Sequence, residues 1–217
     1  MSIVIVGAGP NLGMAVARRF GREGFAVGLV SRTQAKLDDL AGQLEGEGIT
    51  AAGAAADIRD SDGLAAAIAS LADRLGDVEV LEYSPLPARE FMKPILETTV
   101  DDVRGPLEFS VLGAVAAARA VLGPMREAGR GTILYTTGGA AINPYPLRAG
   151  VGISFAGEVA YARMLHAALA DTGIHVAHTA IGGRIAPGGD HEPDDVAELL
   201  WRHHAEPGEF QTRLGIA

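Results

Sequence analysis

The chain contains no cysteine, which excludes a disulfide framework, a thiolate nucleophile and any cysteine-ligated metal site. Lysine is almost absent too, with Lys36 and Lys93 the only two. Aromatic residues make up 5% of the chain, so the core has to be built from aliphatic side chains and alanine. Positive charge is in deficit: 18 Lys and Arg stand against 27 Asp and Glu, a formal charge of −9. That balance repels nucleic acid and anionic lipid and argues against both as partners. No uncharged stretch reaches bilayer length, and Met1 to Val6 leads into an apolar strand without a basic region or cleavage signature; the expected location is cytoplasmic. His203-His204 and His191-Glu192 are the only metal-like groupings, and adjacent histidines on a helix point different ways, so no metal is expected.

At 217 residues with 48% hydrophobic content and 29 glycines, the chain suits one domain spanning residues 1–217. Ile3 to Val6 is a short branched apolar run, followed by glycines and then by Leu12, Val16 and Phe20 at helical spacing. The pattern strand, turn, helix recurs: Phe25 to Val30, Thr33 to Gly46, Ile49 to Ala56, a helix capped by Ser61 and carrying Leu64, Ile68, Leu71 and Leu75, then Val78 to Leu81. Beyond a proline-bearing loop at 84–97, a long helix is expected from about Thr99 to Met125 with a kink at Gly105-Pro106. Further strands fall at Thr132 to Thr136 and Ile174 to Ala180, helices at Val151 to Ala170 and Asp194 to His204, and an edge strand at Phe210 to Ile216. Alternation of apolar strands and amphipathic helices specifies an α/β fold: a single doubly wound Rossmann-type domain with a parallel sheet of about six or seven strands flanked by helices.

Gly7-Ala8-Gly9-Pro10-Asn11-Leu12-Gly13 lies between the first strand and first helix, where backbone amides and the helix N-terminus accept a pyrophosphate. A merely tight turn is the alternative, but the strand-before, helix-after context favours a dinucleotide. At the end of the second strand an NAD site would carry an acid, whereas Ser31-Arg32 stands here. A hydroxyl beside a guanidinium suits a 2′-phosphate, so NADP is expected over NAD, although Arg32 would also serve as a solvated surface charge. Asp57, followed by Ile58, either accepts from an adenine amino group or caps the next turn.

With these residues and this element order, the chain resembles the short-chain dehydrogenase/reductase family over nearly its whole length. The Gly-Ala-Gly-Pro-x-Leu-Gly turn with Asn11 at the variable place and the Asp57-Ile58 pair carry the likeness. The resemblance implies an NAD(P)(H) cofactor held by Gly7, Gly9, Asn11, Leu12, Gly13, Ser31, Arg32, Asp57, Ile58, Tyr83, Ser84 and Gly182. It also implies a small-molecule substrate and a homodimer or homotetramer paired through helices; alanine-rich stretches at Gly113 to Val121 and Ala156 to Ala170 offer small-residue faces for this. The family's chemistry uses Asn, Ser, Tyr and Lys, with tyrosine as proton donor and lysine lowering its pKa. Thr137 falls at the serine position and Ser110 at the asparagine position. The Tyr-x-x-x-Lys pair aligns with Val151 and Phe155, and neither lysine in the chain has a tyrosine four residues before it. Asn-Asn-Ala-Gly after the fourth strand is replaced by Tyr83-Ser84-Pro85-Leu86.

Substitute donors at the carboxyl ends of the strands are Tyr83, Thr137, Tyr145 and His178, with Tyr145 favoured because Arg148 is close in sequence. Tyr145 can equally pack on its proline neighbours, and His178 can be a satisfied core residue. Glu158, one turn beyond Phe155, either faces the emptied catalytic space or makes a polar dimer contact. Two functions follow: an NADP(H)-dependent oxidoreductase with a non-standard active site that reduces a carbonyl or conjugated alkene, or a catalytically silent or non-redox relative that keeps the nucleotide pocket for a structural, regulatory or repurposed role.

Overall fold

The computed structural model describes residues 1–216. Seven strands form one sheet: β1 (Ser2–Val6), β2 (Ala26–Ser31), β3 (Ala51–Ala55), β4 (Val78–Tyr83), β5 (Gly131–Gly138), β6 (Ile174–Ile181) and β7 (Gln211–Leu214). Their order is β3-β2-β1-β4-β5-β6-β7, and every pairing is parallel. The chain reverses its direction of travel across the sheet between β1 and β4, which opens a crevice at their carboxyl ends.

Both faces are covered, as the continuous apolar strands require. On one side α1 (Leu12–Gly21), α2 (Gln34–Gly46) and α7 (Pro193–Ala205) bury Phe20, Leu37, Leu44 and Leu200 against Ile5, Leu29 and Leu134. On the other, α3 (Ser61–Leu75), α5 (Gly113–Ala128) and α6 (Ala149–Leu169) bury Leu64, Ile68, Leu71, Ala114 and Ala118 against Val4, Leu81 and Ile133. Each large aliphatic side chain so buried contributes on the order of 1.5–3 kcal/mol. The edge strand β7 runs parallel to β6.

Several local features differ from the sequence expectation. Asp60, not Ser61, caps α3, its carboxylate accepting from the Gly63 amide at 3.1 Å. The alanines of α5 turn inward: Ala114, Ala117 and Ala118 are fully buried, so the exposed small-residue face belongs to α6, at Ala156 and Ala160. The long helix is also broken later than Gly105-Pro106. α4 (Val100–Leu107), capped by a reciprocal Thr99–Asp102 box, gives way to a π-turn at Glu108–Leu112 before α5 begins. Here the Gly113 amide donates to the Glu108 carbonyl, one residue further back than in an α-helix. The Phe109 carbonyl accepts instead from the Tyr83 hydroxyl. A β-carbon at Gly113 would collide with that hydroxyl and lie 3.0 Å from the Ile58 carbonyl, so glycine is what lets the bulge seat against β4.

Val100–Ala128 is, among the described residues, the one helical run long and apolar enough by length and composition to cross a bilayer. One face of it packs into the core through Ala114, Ala117, Ala118, Val121 and Met125, and the π-turn at Glu108–Leu112 interrupts it. Replacing Tyr83 by Phe removes the donor to the part-buried Phe109 carbonyl, at a cost of about 1 kcal/mol. Urea denaturation of Tyr83→Phe checks this: the midpoint falls with the m-value unchanged.

Candidate functional site

The carboxyl ends of the strands border a continuous groove. One half, about 730 Å³ and open to solvent, is lined by Ser31, Arg32, Asp57, Ile58 and Arg59 among others. The second, about 1900 Å³, runs from Gly9, Asn11, Leu12 and Gly13 past Ser84, Thr136 and Thr137 to Val151, Phe155 and Arg184. Gly7, Pro85 and Leu86 line both.

The glycine turn has the shape the sequence implies. Gly7 has φ +99°, and a β-carbon there would sit 2.5 Å from Pro85 Cα; only glycine fits. At Gly9 the same construction meets nothing nearer than the Gly7 carbonyl oxygen, 4.0 Å away, so its missing side chain leaves space open to the groove. Asn11 is the N-cap of α1 at φ −94°, outside the left-handed region, and makes no side-chain capping bond; the first turn of α1 carries no acid. The positive end of the helix is therefore unneutralised where it borders the groove.

On the β2–β3 side, Arg32 and Ser31 border the groove as expected. Asp57 is engaged locally: its carboxylate accepts from the Arg59 amide at 3.0 Å and from the Arg59 guanidinium at 3.0 Å. Those bonds hold its pKa below the ordinary aspartate value. Of the two roles open to Asp57, turn capping is the one seen.

Two expected cofactor contacts are corrected. Tyr83 does not face the groove. Strand alternation turns it into the core, where it is fully buried and tied to the π-turn. Gly182 is pressed against Gly215, and its carbonyl accepts from the His191 ring at 2.7 Å; its neighbours Ile181 and Gly183 do the lining.

The candidate catalytic residues are dispersed. Thr137 borders the groove, but it is 3% exposed and its hydroxyl lies 2.8 Å from His178 Nε2. Gln211 approaches His178 Nδ1 at 3.0 Å. His178 is thus a satisfied core residue, its pKa pushed down to about 4 by burial and, secondarily, by Arg163. Next to Thr137, a β-carbon on Gly138 would lie 3.4 Å from the Phe155 ring. Ser110 is buried in the π-turn with the Ser154 hydroxyl 3.3 Å away. Tyr145 is 54% exposed and lines neither half of the groove. Its neighbour Arg148 does line it.

Glu82 on β4, to which no motif points, is fully buried; Oε2 accepts from the Ser84 hydroxyl at 2.9 Å, and Oε1 has no partner. Burial pushes its pKa up to about 8, against the opposing pull of the Ser84 hydroxyl. The Thr136 and Thr179 hydroxyls, register partners on β5 and β6, are likewise buried without partners. Glu158 is buried on α6, raised well above the carboxylate range by desolvation and then by Glu82. Its position is interior, which removes the dimer-contact option. No group of three or more metal-ligating side chains occurs among the described residues.

An open parallel sheet with a glycine turn and an uncapped helix N-terminus at its switch point defines a dinucleotide-fold protein. The short chain dehydrogenase family model matches residues 1–188, and the chain belongs to that family. A very-long-chain 3-oxoacyl-CoA reductase of Neurospora crassa is 31% identical over 80% of this chain; the match spans 53% of that protein's own length. A 1-deoxy-11-beta-hydroxypentalenate dehydrogenase of Streptomyces exfoliatus is 28% identical, over 91% of this chain and 77% of the relative. Among solved structures, a short-chain dehydrogenase from Rhodopseudomonas palustris is 26% identical with a TM-score of 0.87, covering 98% of this chain and 96% of that one. L-sorbose reductase from Gluconobacter frateurii, solved with NADPH and L-sorbose, shares the fold at a TM-score of 0.89 and 20% identity, covering 99% and 94%.

Proposed function

We propose that this chain binds NADP(H) along the groove and reduces a carbonyl or conjugated alkene of a small molecule, with an active site that dispenses with the family's tyrosine and lysine. The observation that carries the reading is the glycine turn: Gly9 leaves open space beside the uncapped start of α1, where a pyrophosphate fits. The amides of residues 11–13 would hold the pyrophosphate, and Ser31 with Arg32 the 2′-phosphate. Arg32 forms no ion pair among the described residues, since the nearby Asp57 is taken by Arg59. Bound NADPH supplies a hydride to an electrophilic carbon. The groove wall of Val151 and Phe155, each 5% exposed, excludes water and positions an apolar substrate, and positioning alone supplies much of such a rate. No tyrosine borders the substrate half, so the proton comes from water or from a groove hydroxyl, Ser84 or Thr137. Structural neighbours hold NADPH in one case and NAD in another, so the preference for NADP rests on Ser31 and Arg32. A cytoplasmic homodimer or homotetramer, paired through the exposed alanines of α6, fits the same reading.

A second reading is favoured by a specific observation. Gly138, Val151 and Phe155 make an apolar patch where the family's chemistry resides, which suits a silent relative whose nucleotide is structural or regulatory. Arg32→Ala tests the cofactor assignment common to both. Loss of a charge-assisted phosphate contact weakens NADPH by about tenfold or more. Fluorescence titration is expected to show that loss with NADH affinity unchanged; equal effects on the two nucleotides would remove Arg32 from the 2′-phosphate site. Oxidation of bound NADPH by a panel of small carbonyl compounds separates the reductase from the silent relative.

A further inference from the structure

The larger half of the groove, which carries the glycine turn at one end and the substrate region at the other, has an unusual charge pattern for this protein. Acids outnumber bases by 27 to 18 along the chain, yet not one Asp or Glu lines this half, whereas Arg148 and Arg184 both do. The guanidinium of neither arginine has an ion-pair or hydrogen-bond partner among the described residues. The nearest acid to Arg184 in the loop, Asp190, is spent on its backbone amide, at 2.7 Å. Around the arginines the lining is apolar, with Met92, Val151, Phe155 and Ile185. Lack of an ion pair is common among the arginines, since of the other fourteen only Arg18, Arg19, Arg59, Arg104 and Arg130 form one among the described residues; what sets Arg148 and Arg184 apart is that both line one acid-free, largely apolar groove.

We infer that this half of the groove takes a small molecule with an apolar body and an anionic group, a carboxylate or phosphate, which Arg148 holds and Arg184 assists while Val151 and Phe155 pack the body. A guanidinium fork matches either anion in bidentate geometry. Arg148 immediately precedes α6, which carries Val151 and Phe155 on its first turns, so one rigid element fixes the distance between the charge and the apolar wall. The glycine turn and α1 supply their own amides for a cofactor pyrophosphate, which leaves Arg148 for the second ligand. This inference rests on the reading above only in taking the groove as a substrate site, and it is open to test without turnover.

The test is calorimetric titration of the purified protein, with and without saturating NADPH, using octanoate, octyl phosphate and the neutral octanamide. The expected result is that at least one anion binds about tenfold or more tightly than octanamide, in line with a charge-assisted pair. Which anion does so distinguishes carboxylate from phosphate. Arg148→Gln, at an exposed position, is expected to erase the preference while leaving NADPH affinity within about twofold, since only uncharged amides and Arg32 are assigned to the nucleotide. Equal binding of anions and octanamide, or a preference that persists in Arg148→Gln, overturns the inference. If NADPH fails to bind while the anion preference and its loss in Arg148→Gln stand, the reductase reading falls and the anion site remains.

Discussion

Gly9→Val leaves the protein folded and removes nucleotide binding. Gly9 is not among the positive-φ glycines, and a β-carbon there meets no atom within 4 Å except at the limit, the Gly7 oxygen. Valine is therefore accommodated without strain, and its two methyls project into the space beside the start of α1. A pyrophosphate loses its close approach to several backbone donors at once. With each charged hydrogen bond worth about 1.5–3 kcal/mol, affinity for NADPH falls by about a hundredfold or more. Gly7→Val is the informative contrast: its φ of +99° and the 2.5 Å approach to Pro85 Cα predict a loss of several kcal/mol in stability, on the order expected for strain plus a backbone clash. Thermal melts with and without NADPH check both. Gly9→Val keeps the wild-type Tm and loses the ligand-induced shift, whereas Gly7→Val melts early in either condition.

The second large effect is on stability. Glu82 has its pKa raised from 4.5 to about 8 by complete burial. Between those values the unfolded chain gives up a proton that the folded chain retains, so stability falls as pH rises through the window. The full shift corresponds to a penalty of up to roughly 5 kcal/mol at pH 8 and above. Glu82→Gln removes it, because the amide stays neutral, keeps an acceptor for the Ser84 hydroxyl and has donors to offer toward unpartnered hydroxyls such as Thr136. The variant is expected to be more stable than wild type by about 2–5 kcal/mol at pH 8 and by little at pH 5. His178 acts with the opposite sign: its folded value of about 4 lies below the unfolded one, so it costs stability as pH falls below about 6.5. Comparing the two proteins at each pH by urea denaturation cancels that contribution, which both share. A stability gain that is the same at pH 5 and pH 8 would rule out the burial of an ionisable carboxyl as its cause.

Much of the fold is legible because it is written in short-range patterns. Ile3 to Val6, the glycine turn and the Leu12, Val16, Phe20 spacing announce β1, turn and α1 within twenty residues, and the same rhythm gives all seven strands. Features that depend on contacts between distant residues are the ones the sequence hides. The π-turn arises because a hydroxyl on β4 captures a carbonyl 26 residues later, and nothing near Pro106 encodes that. Family likeness puts Tyr83 at the cofactor, yet Val80, Glu82 and Ser84 share one strand face and Leu81 and Tyr83 the other; period-two alternation alone turns it inward. Glu82 is readable as an acid inside an apolar strand, a pattern that by itself points to a perturbed group. Thr137 closes β5 as its sequence place implies, but the contact of its hydroxyl with His178, 41 residues away, is not announced by anything near it. The pyrophosphate part of the site is legible in sequence because it is made by one local turn. The substrate half is assembled from β4, β5, β6 and α6, and its pairing of Arg148 with Arg184 emerges only when those ends converge.

NADP(H) binding in the groove is tested most directly by titrating purified protein with NADPH and with NADH, following nicotinamide fluorescence. Saturable binding of both is expected, with NADPH tighter by about tenfold or more through Arg32. Absence of binding to either nucleotide would contradict the cofactor assignment, and would leave the Gly7 to Gly13 turn as a structural relic of the family.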